Sequence, residues 1–456
     1  MRVMQEGLLD VDIERIVNND SGVGGDTFTV VLSSPTADMP LVFLQNVQWK
    51  RDYNGSTTDD IRVMFEIDGA DYRNHIHYYK DHLEMTIIRK KYNDVIFSTH
   101  RYKVFIVKNT GDTQITAMKF MSDAELSSHT PISMEVQCID RDHYSINDIT
   151  TQGVYQDATL EDAVMAELTE MTKAIDYGEG KPNIKFDIVP FDNTNKYGHV
   201  IIPTGTKILS LPTFLQENDS YGVYNASIGT YIQEFEGKKY LWIYPLFDVK
   251  QYDKRDYVAM IFIGRNKRYG KDGNTCMLDG KVLKIVPEAE FGIMDNGTNA
   301  MNSTGNAISY GNPDNVHRSF GDNRDGGLKV KAATNVKTES TREMPDGTIN
   351  TKWLGTINNA YKYRSLTIRN MMSIYQFRWY NGDIDLIYPG MPVALVMEDV
   401  NNQITKQYGI IQSTAQDYYN DSKVTHVVLN IAVMSEDVFK DMKDYDTNIS
   451  TQNLKR

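Results

Sequence analysis

The sequence is poor in the residues and runs that mark several classes of protein. Its 456 residues include only two cysteines, Cys138 and Cys276, too few and too far apart for a disulfide framework or a thiolate zinc site. A reducing site of folding, such as a cytoplasm, is therefore expected. The longest apolar run, residues 257–263, is far shorter than a membrane span. Residues 1–12 carry acidic side chains without an apolar core, so we predict neither a signal peptide nor a membrane span.

Basic residues are outnumbered by acidic residues. The chain has 48 Lys and Arg against 61 Asp and Glu, a net charge of −13. A nucleic-acid-binding domain would need a basic face, so specific DNA binding is not expected. An acidic surface repels phosphates and suits a protein that lets DNA pass without holding it, but it suits many bacterial proteins equally well.

The familiar catalytic signatures are missing. No GxSxG elbow, HExxH pair, Walker loop or catalytic Cys–His pattern occurs. Residues 22–25 lack the glycine spacing of a phosphate-binding loop. Residues 322–327 resemble a calcium loop, but Arg324 occupies the third position and no Glu closes the frame.

Two weaker arrangements remain. His75 and His77 would share one face of a strand, which a metal site could use, although an exposed polar loop is the more usual explanation. Asp383 and Asp385 would alternate along a strand, as solvated carboxylates do, and could serve a glycosidase only in principle. We therefore predict no enzyme: no catalytic residues, no metal and no cofactor.

Strand patterns dominate what is present. The first 150 residues contain short runs of β-branched and aromatic residues separated by turns rich in Gly, Asn and Asp, at residues 28–32, 41–44, 61–67, 83–88, 101–107 and 132–139. Many short strands with regular turns favour a barrel or sandwich over a parallel sheet. A second β block follows from about residue 351, including residues 372–379, 408–411 and 425–433.

The middle of the chain is mixed. Thr159 followed by Asp162 is a capping-box-like start for a helix over residues 160–175. A shorter helix is predicted over residues 209–215, with Pro212 in its first turn. Further strands are predicted at residues 184–189, 229–235, 240–244, 257–263 and 281–286.

Turn chemistry is clearest near the C-terminus. Asn381-Gly382 and Pro389-Gly390 are turn dipeptides, and the Ile- and Leu-rich residues between and after them predict strands. The predicted fold is mainly β with a smaller α/β insert (α+β). Its predicted parts are a first β-barrel (1–150), an α/β insert (151–290), a polar loop or insertion (291–350), a second β-barrel (351–435) and a charged C-terminal tail (436–456).

This organisation resembles one known family. The short helix at 209–215, the segment Tyr221-Gly-Val-Tyr224, the hairpin ending at Tyr244, and the phrase Leu-Ile-Tyr-Pro-Gly-Met-Pro-Val at 386–393 are together similar to the baseplate hub proteins of contractile bacteriophage tails. The resemblance implies two tail-tube-like β-barrels per subunit and a homotrimer whose six barrels form a pseudo-hexameric ring. That ring would join the tail tube to the central spike and form part of the DNA conduit.

Partners and contacts follow from the resemblance as expectations. Partners would be other copies of the chain, the tail tube protein, the central spike protein, the C-terminus of the tape-measure protein and the surrounding wedge proteins, with DNA passing unbound. The expected location is the virion tail baseplate, after assembly in the host cytoplasm. Expected subunit contacts are Tyr221, Tyr224, Tyr240, Trp242, Tyr244, Tyr388, Pro389 and Gly390. The alternatives are a neighbouring baseplate or tube-initiator protein of the same tail, and a host-glycan-binding adhesin that uses exposed Tyr and Trp, such as Trp242 or Trp379.

Overall fold

The fold was analysed in a computed structural model. The structure describes residues 27–91, 95–109, 131–174, 184–218, 220–263, 275–288, 291–294, 361, 365, 368–369, 372–398, 404–419 and 426–434. Five of the patterns above fall mostly or wholly outside these residues: the N-terminal residues 1–12, the glycine-rich residues 22–25, the calcium-like loop 322–327, the tail 436–456, and all of the polar segment 291–350 except Phe291–Met294.

The first block is an antiparallel sheet in the order β2-β1-β5-β6-β7-β4-β3. Alternation explains its strands, because Ile61, Val63, Phe65 and Ile67 are buried while the residues between them face outward. The strands are β1 (Thr27–Ser33), β2 (Asp38–Pro40), β3 (Phe43–Asp52), β4 (Asp60–Asp68), β5 (Glu84–Lys91), β6 (Val95–Asn109) and β7 (Pro131–Asp140).

A middle segment follows the first block. It contains α1 (Arg141–Asn147), β8 (Thr150–Ala158), α2 (Leu160–Ala174), β9 (Lys185–Ile188), β10 (Tyr197–Lys207), α3 (Leu211–Glu217), β11 (Gly229–Phe235) and β12 (Lys238–Tyr244). Strands β8 and β10 form a two-stranded ribbon, and the hairpin β11–β12 pairs with β9. The capping box of α2 is confirmed, because Thr159 Oγ1 accepts from the Asp162 N–H at 3.1 Å while Asp162 accepts from the Thr159 N–H.

The second block consists of β13 (Val258–Ile263), β14 (Cys276–Asp279), β15 (Val282–Ile285), β16 (Phe291–Met294), β17 (Met372–Tyr380), β18 (Pro392–Glu398), β19 (Ile404–Tyr419) and β20 (His426–Met434). Its sheet branches at β19, towards β18-β13-β15-β14 on one side and β20-β17-β16 on the other. The predicted domain boundaries remain a prediction. Strand β13, which falls in the predicted insert, pairs with β18 of the second block, and β15 and then β14 continue the sheet beyond β13.

One long strand joins the two blocks. The first part of β19 pairs with β18, from Ile404 to Ile410, and its last part pairs with β3, from Ser413 to Tyr419. The ring of Tyr418 on β19 contacts Phe28 of β1, with ring centroids 4.8 Å apart. The first sheet therefore curls so that β1 approaches β19. The second sheet also curls, because Thr275, just before β14, donates to the Tyr380 carbonyl at the end of β17.

The fold class is confirmed as mainly β. One local prediction is wrong: the residues between the two turn dipeptides form a 3₁₀ turn, Ile384–Leu386, and not a strand. Asp383 caps this turn by accepting the Asp385 N–H at 3.0 Å, which favours a tight turn over an extended run. In the part of the chain that the structure describes, no helix has the length and hydropathy needed to cross a bilayer.

Candidate functional site

The most unusual chemistry of the described chain is a buried group of charges where the two blocks meet. We call it the junction cluster, and its charged members are Arg51, Asp59, Arg89, Asp383 and Asp385. Charged side chains are rarely buried unless they are paired, so each member requires a partner inside the protein.

Strand alternation places the two arginines inside. On β3, Val47, Trp49 and Arg51 occupy successive inward positions, and Arg51 is 2% exposed. On β5, Met85, Ile87 and Arg89 do the same, and Arg89 is fully buried. Each guanidinium group therefore lies on the inward face of its strand, at the end of a row of buried apolar side chains.

The second block supplies carboxylates to these arginines. After β17 the chain reverses at Asn381, which has a φ of 48°, and the capped 3₁₀ turn then holds Asp383 and Asp385 against the first block. Asp385 accepts from Arg51 Nη2 at 2.8 Å and from Arg89 Nη1 at 2.7 Å. Asp383 pairs with the same Arg89 nitrogen at 2.8 Å.

Asp59 is the acceptor on the other side of Arg51. Its Oδ2 lies 3.1 Å from Arg51 Nε and accepts from Trp49 Nε1 at 2.6 Å. Its Oδ1 accepts from the hydroxyl of Tyr231 at 2.9 Å. Since Tyr231 lies on β11, the same carboxylate ties the middle hairpin to the first block.

Neutral hydrogen bonds complete the contact between the hairpin and both blocks. Tyr53 donates to Gln233 Oε1 at 3.0 Å, and Gln233 Nε2 donates to the Ile387 carbonyl at 2.5 Å. The Ile232 N–H donates to the Thr57 carbonyl at 2.8 Å. The hairpin β11–β12 is thus bonded to the first block on one side and to the second block on the other.

Electrostatics favour the charged form of the cluster. Burial alone would raise the pKa of Asp385, but Arg89 and Arg51 hold it well below its usual range. Burial alone would lower the pKa of Arg51, but Asp59 and Asp385 raise it. Burial raises the pKa of Tyr231, and the neighbouring Asp59 raises it further, so this hydroxyl remains a donor. The Arg51–Asp385 pair therefore stays ionised over the ordinary pH range and acts as an ionic lock within the cluster.

The structure brings several of the predicted contact residues together beside this lock. The ring of Trp242 stacks on Tyr388 with centroids 5.0 Å apart, and Tyr240 lies 5.2 Å from Trp242. The Tyr388 hydroxyl donates to the Tyr257 carbonyl at 2.6 Å. Pro389 is buried next to them, so these residues pack the hairpin against the second block within one chain.

Tyr244 and Gly390 form the closest of these contacts. The Tyr244 hydroxyl donates to the Tyr53 carbonyl at 3.0 Å. A Cβ added at Gly390 would lie 2.2 Å from Tyr244 Cδ2, and Gly390 has a φ of 70°. Only glycine combines this backbone conformation with this proximity to the ring.

The remaining two predicted contact residues lie elsewhere, inside the middle segment. The Tyr221 hydroxyl accepts the Ile201 N–H at 2.9 Å, and the Tyr224 hydroxyl donates to the Val189 carbonyl. All eight residues thus have surroundings within their own chain. Their role in contacts between subunits stays a prediction.

Three sequence-based interpretations of polar residues need correction. Asp383 and Asp385 are not solvated strand residues but members of the junction cluster. His75 lies in the π-turn Tyr72–Ile76 and not on a strand; its Nδ1 is 2.9 Å from Thr36 Oγ1. His77 follows the same turn, and its ring packs on Tyr78 at 5.0 Å. Within the described ranges, no group of three metal-ligating side chains occurs.

Arg51, Asp59 and Arg89 were not among the residues predicted from the sequence. A signal for the arginines was present, because each occupies an inward position at the end of an alternating apolar run. A charged residue in phase with buried positions indicates a buried ionic partner. The sequence does not indicate which residue that partner is, because Arg51 and Asp385 are 334 residues apart.

Comparison with known proteins gave structural similarities only. No protein-family model and no curated protein sequence matches the chain. A tail protein from Neisseria meningitidis has a TM-score of 0.46 at 9% identity, covering 89% of this chain and 96% of its own. A 43 kDa prophage tail protein from Shewanella oneidensis has a TM-score of 0.47 at 8% identity, covering 90% and 99%.

A third structure is an E. coli component of the type VI secretion system, described as structurally similar to bacteriophage tail proteins. Its TM-score is 0.43 at 9% identity, covering 89% of this chain and 77% of its own. Two of these three structures are described as tail proteins and the third as similar to tail proteins. At such values the likeness concerns the general course of the backbone and does not assign the chain to a family.

Proposed function

We propose that this chain is a structural component of a phage tail baseplate, the central hub that joins the tail tube to the central spike and forms part of the DNA conduit. The observation that carries the proposal is the rigid joint between two curled β blocks: β19 belongs to both sheets, and the junction cluster is locked between them.

A rigid joint is what such a role needs. A trimer can match a six-fold tube only if each subunit offers two barrel-like units at a fixed relative angle. A flexible linker would let the two units reorient. Here a continuous strand sets the angle, and a desolvated ionic network, whose disruption costs several kcal/mol, opposes its change.

Trp242 and Trp379 are consistent with a structural role because they are buried, and not because they offer exposed rings for a contact. Trp242 and Trp379 are 4% and 0% exposed, so neither ring is available to stack on a sugar. This counts against a glycan-binding adhesin built on these two residues. In the hub, the Trp242 ring serves the packing that keeps the hairpin and the second block together, whereas Trp379 is bonded within the second block, where its Nε1 donates to Thr275 Oγ1 at 3.1 Å.

Imaging of the purified oligomer tests the proposal. We expect native mass spectrometry to give a trimer, and electron microscopy to show a ring with six similar lobes around a central opening. A hexamer would favour a tube-initiator protein instead. A ring in which the two lobes of each subunit differ and do not superpose would refute the pseudo-six-fold arrangement.

A further inference from the structure

Among the described residues, one exposed patch of the first block combines apolar with basic side chains. Strand β6 presents Arg101, Phe105, Val107 and Lys108 to solvent, with Phe105 and Val107 37% and 50% exposed. Beside it, Tyr144 of α1 is 42% exposed, and its ring lies 5.8 Å from that of Phe105. We call these residues the β6 patch: an apolar centre with basic residues at both ends.

Further basic groups lie at its margin. Lys103, on the same strand face, donates to the Asp81 carbonyl, which is neutral. Arg141 is 58% exposed at its side chain and lies 3.8 Å from Glu84, a loose and well-hydrated pair. Glu135 faces the same side and is 3.5 Å from Arg62 of β4. The patch is therefore net positive on a chain whose net charge is −13.

Helix α2 presents the opposite combination. Its inward stripe is Leu160, Ala163, Val164, Leu168 and Met171. On the outer side, Met165 is 38% exposed, and Asp162, three residues before it, is exposed on the same face. Glu161, four residues before Met165, is half-buried, and its Oε2 accepts the Phe191 N–H at 3.4 Å. Thr169, four residues after Met165, is exposed on that face as well. We call these four residues the α2 stripe: an apolar side chain bordered by carboxylates.

The charges of the stripe are maintained. Hydrogen bonds from Thr159 lower the pKa of Asp162, so this carboxylate is ionised at neutral pH. Lys196 attracts it from nearby but compensates only one of the two carboxylates. The stripe therefore carries negative charge beside a methionine, which is a side chain that adapts to irregular apolar partners.

We infer that the β6 patch of one copy of this chain binds the α2 stripe of a neighbouring copy. The two surfaces match in charge and each has an exposed apolar centre. Because they are different surfaces, the contact is heterologous, and a heterologous contact closes into a ring when its rotation permits. The inference rests on the proposed function, for which it supplies a subunit contact, and the second copy is the occupant that the charge complementarity identifies.

Nucleic acid fits the β6 patch less well. A phosphate-binding surface places its cations without competing acids, whereas Glu84 and Glu135 lie beside this one. An acidic protein surface with an apolar side chain satisfies the whole patch.

A charge-swap experiment in the full chain tests the contact. The patch variant is Arg101→Glu with Lys108→Glu, and the stripe variant is Glu161→Lys with Thr169→Lys. We expect each variant to lose most of the trimer at a concentration where the unaltered chain is fully trimeric. We expect a chain that carries all four substitutions to recover it. Lys238→Glu, at an exposed site outside both surfaces, is the matched control and should leave the trimer unchanged.

Circular dichroism of each variant separates loss of contact from loss of folding. Trimers that persist in both the patch and the stripe variants would overturn this inference and leave the proposed hub standing. Disruption by both variants without recovery in the combined chain would overturn the pairing of these two surfaces. An unaltered chain that is monomeric at every concentration would overturn the proposed trimer and, with it, the contact.

Discussion

Replacing Gly390 by alanine tests how closely the hairpin β11–β12 packs against the second β block. Gly390 has a φ of 70°, and a Cβ there would lie 2.2 Å from Tyr244 Cδ2 and 2.7 Å from Cε2. The ring has no room to retreat. It is 2% exposed, its hydroxyl is bonded to the Tyr53 carbonyl, and a Cβ at Gly229 would lie only 2.5 Å from its Cζ.

Two costs add in this substitution. The left-handed backbone conformation costs an alanine roughly 1–2 kcal/mol. Forcing a methyl group into a packed ring costs roughly 1–3 kcal/mol more. We therefore expect Gly390→Ala to lower the free energy of unfolding by about 2–5 kcal/mol.

Urea-induced unfolding, followed by tryptophan fluorescence, measures the cost. Gly237→Ala is a matched control, because Gly237 has a φ of 69° and a Cβ there meets nothing within 4 Å. It should show the backbone cost alone. The difference between the two variants is then the contribution of the Tyr244 ring.

A double-mutant cycle with Tyr244→Leu identifies the ring directly. In that background Gly390→Ala should cost less, with a coupling of about 1–3 kcal/mol. Equal costs for Gly390→Ala and Gly237→Ala, or a cost of Gly390→Ala that Tyr244→Leu leaves unchanged, would refute the proposed close contact between hairpin and second block.

Three further predictions concern the joint. Asp385→Asn should destabilise the protein by about 3–5 kcal/mol at pH 7, because it leaves Arg51 and Arg89 short of a buried counter-charge. Since the folded pKa of Asp385 is depressed, its contribution is present above its unfolded pKa of about 3.9 and is lost as the pH falls below it, so the variant should lose less stability than the parent in acid melts. Lys239→Met should cost roughly 1–3 kcal/mol below pH 10, because Lys239 Nζ lies 2.8 Å from Asp140. Burial lowers the pKa of Lys239, but Asp140 and a second carboxylate raise it, so this cost should vanish when strongly alkaline pH removes the proton. Thermal melts in which the cost does not change with pH would show that the pair is unimportant. A chain that ends before β19 should fail to form the first block, because β3 loses one of its two partners and keeps only β4. A native-like circular dichroism spectrum with cooperative unfolding of that fragment would contradict the shared-strand arrangement.

Local patterns predicted most of the strands and both principal helices. The helix over 160–175 is observed as Leu160–Ala174, and the hairpin at 229–235 and 240–244 is β11–β12. These elements depend on neighbouring residues: a cap, a turn pair and an alternation. The 3₁₀ turn was missed for a related reason, because one capping carboxylate outweighed the strand preference of its Ile and Leu residues.

Local sequence patterns could not predict which residues pair with the buried charges. Asp383 and Asp385 look like solvated strand residues until β19 brings the second block against β3, and only then do they meet Arg51 and Arg89. The aromatic residues near Gly390 were expected at a surface for the same reason. A sequence shows which side chains are amphipathic, but the packing of distant segments decides which of their faces water reaches.

The sequence by itself therefore determined the mainly β composition, the strand and helix positions, the turn at Gly390 and the acidic surface, because each follows from residue type and spacing. Tertiary structure alone decided that the two β blocks share a strand, that the middle hairpin lies between them, and that five charges meet at their joint. Those features depend on pairings between residues far apart in the sequence, such as Asn46 with Tyr419 and Arg51 with Asp385, and no local preference specifies such pairings.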